Sequence, residues 1–91
     1  MMQVFKGPMI DVYLLPGSMT IEFKHRTILE GNPYFSAHAF IVIEYDDIED
    51  VYLENDILVL KLNDGSKVKL EVNNVKNLYE HIKRIVESIR E

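Results

Sequence analysis

The chain has 91 residues, 47% of them hydrophobic, and carries 15 acidic against 10 basic side chains for a formal charge of −5. That length fits one compact domain burying roughly 60–65% of its unfolded surface, and the acidic balance argues against a general phosphate-backbone binder. Cysteine is absent, which excludes disulfides and thiolate chemistry, and no apolar run is long enough for a membrane helix.

The opening MMQVFKGP is too short and polar for a leader, so the cytosol is the expected compartment. From Met9 to Val72 apolar residues recur at every second position in short runs, and from Val75 onward the period becomes three and four. Strands over about 9–72 and one helix over about 74–90 are therefore expected, within a single domain 1–91. Gln3 to Lys6 carries a weak strand pattern. The runs MIDVYLL and MTIEFKHRTIL read as strands joined by a Pro16-Gly17 turn, and SAHAFIVIEY as another, with Gly31-Asn32-Pro33 between them. Met19, Ile21 and Phe23 share one face, opposite Thr20, Glu22 and Lys24. The pattern leaves open whether Lys24-His25-Arg26 is a turn or part of a long bent strand.

The segment VYLENDILVLKLNDGSKVKLEV can be registered by arithmetic, because opposed residues of an antiparallel pair share a face. A two-residue loop at Asn55-Asp56 sets Leu53 against Leu58 and Val51 against Leu60. A two-residue loop at Asp64-Gly65 would set Leu60 against Lys69 and mix lysines into the leucine face. A three-residue loop Asn63-Asp64-Gly65, with Gly65 left-handed, instead sets Leu60 against Val68 and Leu58 against Leu70. The inner face is then Val51, Leu53, Leu58, Leu60, Leu62, Val68, Leu70 and Val72, while Asp50, Lys61 and Lys67 form a row on the other side.

The terminal helix is expected to start near Asn74 as N-cap, with Asn77 and Glu80 offering a second start one turn later. Val75, Leu78, Tyr79, Ile82, Ile85, Val86 and Ile89 form its apolar stripe, and Glu80 with Arg84 and Lys83 with Glu87 are spaced to pair on the wet side. The stripe spans too few heptads for an independent coiled coil and needs the sheet core as its surface.

Chemical signatures are sparse. EYDDIEDVYLEND, Glu44 to Asp56, concentrates seven carboxylates around Ile48, Val51 and Leu53. An oxygen-rich calcium loop needs acids at its first, third and fifth positions and glycine at the sixth; Ile48 is third from Asp46 and no glycine follows. A solvated rim around a buried strand is the better reading. His25, His38 and His81 sit on separate elements without metal-ligand spacing. No serine occupies a glycine elbow, and Gly7, Gly17, Gly31 and Gly65 are too scattered to cradle a phosphate. Lys24, His25 and Arg26 make the one basic spot. Gln3 is the only glutamine among abundant Ile, Val, Glu and Lys, a bias found in hyperthermophile proteins.

The lead-in I-E-Y-D-D-I-E-D-V, the meander N-D-I-L-V-L-K-L-N-D-G-S-K-V-K-L-E-V and one C-terminal amphipathic helix resemble the pleckstrin-homology-like superfold, particularly its small bacterial PH and GRAM-like members. The similarity runs from Ile43 to Ile89. In that family an isoleucine after an acidic-polar turn and, three residues on, a valine open the strand leading into the last meander; Ile48 and Val51 look like those positions. The resemblance implies a mainly β (α+β) domain, a bent antiparallel sheet or two near-orthogonal sheets forming a barrel closed by the helix. It also implies a non-catalytic binding module that recognises lipids, peptides or protein surfaces. Lys24 and Arg26 look like the end of the phosphate grip of the lipid-binding members, but the nearest upstream lysine, Lys6, is farther away than that pattern expects.

The resulting expectation is a module without cofactor, metal or nucleic acid that works through protein contacts, including self-association as a homo-oligomer. Its surface would be the outer side of the meander, where Tyr52, Ile57 and Val59 cluster beside Lys69, and Val59→Lys would leave the fold nearly intact while shifting the assembly toward monomer. The rival expectation is an anion or lipid-headgroup receptor using Lys24, His25 and Arg26.

Overall fold

The computed structural model describes residues 2–24 and 39–90. Two antiparallel sheets and one helix build it. The first sheet has the order β1 (Gln3–Lys6), β2 (Ile10–Leu14), β3 (Ser18–Phe23) and β4 (Ala39–Glu44); the second has the order β5 (Ile48–Glu54), β6 (Ile57–Leu62) and β7 (Lys67–Leu70). Helix α1 spans Val75–Ile89. No ladder joins the sheets among the described residues, so they do not close into a barrel. The weakly patterned Gln3–Lys6 is a strand after all, because the whole of β1 pairs with β2 from Gln3↔Leu14 to Lys6↔Asp11.

The meander register is the expected one. Val51 faces Leu60 and Leu53 faces Leu58, while Leu60 faces Val68 and Leu58 faces Leu70. Gly65 has φ +89°, a conformation that costs an L-residue about 1–2 kcal/mol. Beside it the Asp64 carboxylate accepts from the Ser66 hydroxyl and the Ser66 N–H, which hold its pKa below the usual carboxylate range. At the other turn Asn55 takes the left-handed conformation, φ 58°, which asparagine tolerates better than most residues.

One departure from strict alternation positions the acidic run. Ile48 pairs with Leu62 but Asp50 pairs with Lys61, so Glu49 is an extra residue, a β-bulge. The bulge restores phase: Ile48 and Val51, three apart in sequence, are both buried in the core. Upstream, a 3-10 turn at Tyr45–Asp47 links the two sheets. Tyr45 is 2% exposed, and its hydroxyl donates to the Leu15 carbonyl at 2.7 Å. Burial raises its pKa, with the hydrogen bond opposing.

The core lies between the sheets and under the helix. Val12, Met19 and Ile21 from the first sheet meet Leu58, Leu60 and Leu70 from the second, and Leu78, Ile82 and Val86 from α1. Tyr79 and Ile85 pack at its margin, whereas Ile89 is exposed. The helix rests on β5, the 3-10 turn and β6. At its start Asn74 occupies the cap position without a side-chain cap bond: its backbone is left-handed, φ 57° and ψ 40°, and its carbonyl accepts from the N–H groups of Asn77 and Leu78. Asn77 and Glu80 therefore lie inside the helix and start nothing. Neither Glu80 with Arg84 nor Lys83 with Glu87 closes within ion-pair distance among the described residues; the Lys83 ammonium stands 5.5 Å from the Tyr79 ring centroid. No helix among the described residues is long and apolar enough to cross a membrane.

Candidate functional site

The acidic run resolves into a rim. Glu44, Asp46, Asp47, Glu49, Asp50, Glu54 and Asp56 are all exposed while Tyr45, Ile48 and Val51 are buried between them. Backbone bonds hold the rim in place: Asn63 donates from its N–H to the Asp47 carbonyl and from its side chain to the Asp46 carbonyl. No group of three or more histidine, aspartate or glutamate side chains converges as a metal site among the described residues. His81 is half-buried beside Phe5, ring centroids 5.9 Å apart, and His25 and His38 lie outside the described residues.

The outer side of the meander needs a correction. Val59 stands between Tyr52 and Lys69, as the register requires, and it is absent from the main core cluster. It is nevertheless 0% exposed. Valine is the shortest side chain on that face and sits in the middle strand, flanked across the ladder by a tyrosine and a lysine. Tyr52 and Ile57 are half-buried and Lys69 is exposed. A partner could touch Tyr52, Ile57 and Lys69 but not Val59, and a lysine at position 59 would place an ammonium where no water reaches. Val59→Lys is thus a destabilising substitution and not a silent one.

The basic spot is partly neutralised. Strand β3 ends at Phe23, and Lys24 follows it with its N–H bonded to the Met9 carbonyl. Its ammonium lies 3.1 Å from Oδ1 of Asp11, a carboxylate that is itself buried on the outer side of β2. The contact is Coulombic, since no donor meets that oxygen in hydrogen-bond geometry. A lysine that compensates a buried aspartate is poorly available to an external phosphate. His25 and Arg26 lie outside the described residues.

An open groove of about 550 Å³ lies where the sheets meet, between Gly7-Pro8, the Asn55-Asp56-Ile57 turn and Glu71–Asn73. Asp56 and Glu71 are its only ionisable lining groups, without a histidine, lysine or serine beside them. That lining supplies neither a nucleophile with its base nor a cationic receptor for an anion.

The surface that sequence reading missed is on β4. Its side chains alternate between the faces of the first sheet, yet Phe40, Ile41 and Val42 are 56%, 41% and 63% exposed. Phe40 pairs with Glu22 and Val42 with Thr20, and Thr20 in turn pairs with Tyr13, which pairs with Val4. Val4 and Val42, both exposed, therefore end one cross-strand row on the outer face. The signal was present: Ala39-Phe40-Ile41-Val42-Ile43 is an unbroken apolar run, whereas a strand with one wet face alternates. The surplus had to emerge somewhere.

These features define a small α+β domain whose distinctive surface is an apolar sheet edge. Comparison with family models, curated proteins and solved structures finds no match for this chain.

Proposed function

We propose that the chain is a non-catalytic binding module of pleckstrin-homology-like type that acts through protein contacts, self-association among them. Seven strands in two antiparallel sheets followed by one helix, among the described residues, support the resemblance. The observation that carries the functional reading is the exposure of Phe40, Ile41 and Val42 on an edge strand. Large apolar side chains grouped at a sheet edge are costly to leave in water and mark interaction surfaces. The headgroup reading has less behind it, because Lys24 is engaged by Asp11 and the net charge is −5.

A photocrosslinking amino acid in place of Val42 tests the reading in the cell that makes the protein. Covalent adducts to protein are expected at position 42 and not at the Glu80 position on the wet side of α1. Equal or absent adducts at the two positions would refute a protein-contact role for this edge.

A further inference from the structure

We infer that the partner of β4 is a second copy of the same chain, joined edge to edge by antiparallel pairing of β4 with β4 about a two-fold axis through Ile41. The inference rests on the protein-contact reading above and adds the identity and register of the partner. Among the described residues β4 is the last strand of its sheet, with β3 on one side and no strand on the other. An edge strand presents unpaired N–H and C=O groups, and proteins usually blunt such edges with lysine, proline or a bulge. Ala39 to Ile43 contains no charge and no proline, and its ladder with β3 runs without a register shift from Phe23↔Ala39 to Ser18↔Glu44. The edge is regular in register and apolar, which suits it to template another strand.

The geometry of the pairing favours a copy over an unrelated strand. A two-fold interface must be self-complementary. With Ile41 opposite Ile41, Phe40 of each copy faces Val42 of the other on the outer side, an aromatic to β-branched contact made twice. The charges do not oppose the pairing. Glu44 of one copy falls one position beyond Ala39 of the other, in the row of Lys24, which directly follows Phe23, the partner of Ala39. Glu44 and Lys24 both point to the outer side, since Lys24 reaches Asp11 there and Glu44 keeps phase with Phe40 and Val42. Lys24 keeps Asp11 as its partner at 3.1 Å, so each end of the interface sets a carboxylate two strands from an already paired ammonium and opposes no like charge directly. The two Glu44 carboxylates lie six residues apart along the paired strands, about 20 Å, too far to repel strongly in salt. The product is one continuous sheet in which four strands from each copy are joined.

The purified chain tests this directly, helped by its lack of cysteine. Analytical ultracentrifugation should give a dimer at high micromolar concentration, and Val42→Lys, at an exposed position, should weaken it at least tenfold while the circular dichroism spectrum stays unchanged. Register is read by single cysteines. Position 41 faces itself across the axis, with Cα atoms about 4.5–5.5 Å apart, so Ile41→Cys should oxidise to a covalent dimer at least tenfold faster than Val42→Cys. A monomeric wild type, or a dimer in which Val42→Cys crosslinks as fast as Ile41→Cys, would overturn the inference. A monomer whose position 42 still crosslinks to another protein in the cell would remove the second copy and leave the binding-module reading standing.

Discussion

Gly7 has no room for a side chain. A Cβ at that position would overlap the Glu71 carbonyl oxygen and stand 3.0 Å from the Val72 Cα. The obstacle is backbone, so it cannot rotate away as a side chain would. The Asn73 N–H donates to the Lys6 carbonyl next door at 2.8 Å, so the end of the meander and the end of β1 are locked together there. Gly7→Ala must push the sheets apart and should cost about 1–3 kcal/mol, the range of overpacking substitutions, measured as a lower urea midpoint. Gly17 has nothing within 4 Å of its Cβ direction, which makes Gly17→Ala the control, expected within about 0.5 kcal/mol of wild type. Equal midpoints for the two variants would contradict the close approach. Gly65 could be assigned from the meander pattern because its role is local. Nothing near Gly7 in sequence announces residues 71 and 72 as its neighbours.

Among the elements, β5 and α1 are coupled at one point. At the β-bulge of Glu49 the Arg90 guanidinium, at the end of the helix, donates to two backbone carbonyls, those of Ile48, at 3.1 Å, and Glu49. A cation at a helix C-terminus also meets the negative end of the helix dipole. Arg90→Ala should therefore destabilise the domain by about 1–2 kcal/mol, the scale of hydrogen bonds from a charged donor at a partly wet site. Hydrogen exchange should localise the effect, with faster exchange in the last turn of α1 and at Ile48–Asp50 and none in β2 or β3. Unchanged exchange at both places would mean that the clamp contributes nothing. The bulge itself was half legible: Ile48 and Val51 read as core positions three apart, a spacing that a regular strand cannot satisfy without one extra residue. The arginine that uses it was not, since forty-two positions separate Arg90 from Ile48.

At the scale of the whole molecule the charge decides which surfaces the protein can approach. Seven exposed carboxylates crowd the rim from Glu44 to Asp56, the net charge is −5, and Lys24 is paired with Asp11. Anionic membranes attract basic patches by about 1 kcal/mol per free lysine or arginine and repel acidic ones. The chain is expected to stay in the supernatant when phosphatidylserine vesicles are sedimented at physiological salt. Cosedimentation that fades as salt rises would restore the headgroup receptor as the leading reading.

Local pattern alone determined the class of the domain, the strand and helix order, the register of both hairpins in the meander, the left-handed Gly65 and the apolar stripe of α1. Each of these follows from periodicity or turn chemistry within a few residues, where the physics is short-range. Tertiary structure decided the rest. It assigned strand status to Gln3–Lys6 by supplying β2 as a partner, buried Val59 on a face that the register alone leaves open to water, tied Lys24 to Asp11 and left the Asn74 side chain out of the helix cap. It also exposed Phe40, Ile41 and Val42 on β4. Whether an apolar run ends in a core or at an edge depends on how many strands flank it, and strand neighbours are chosen by long-range pairing that no window of sequence contains.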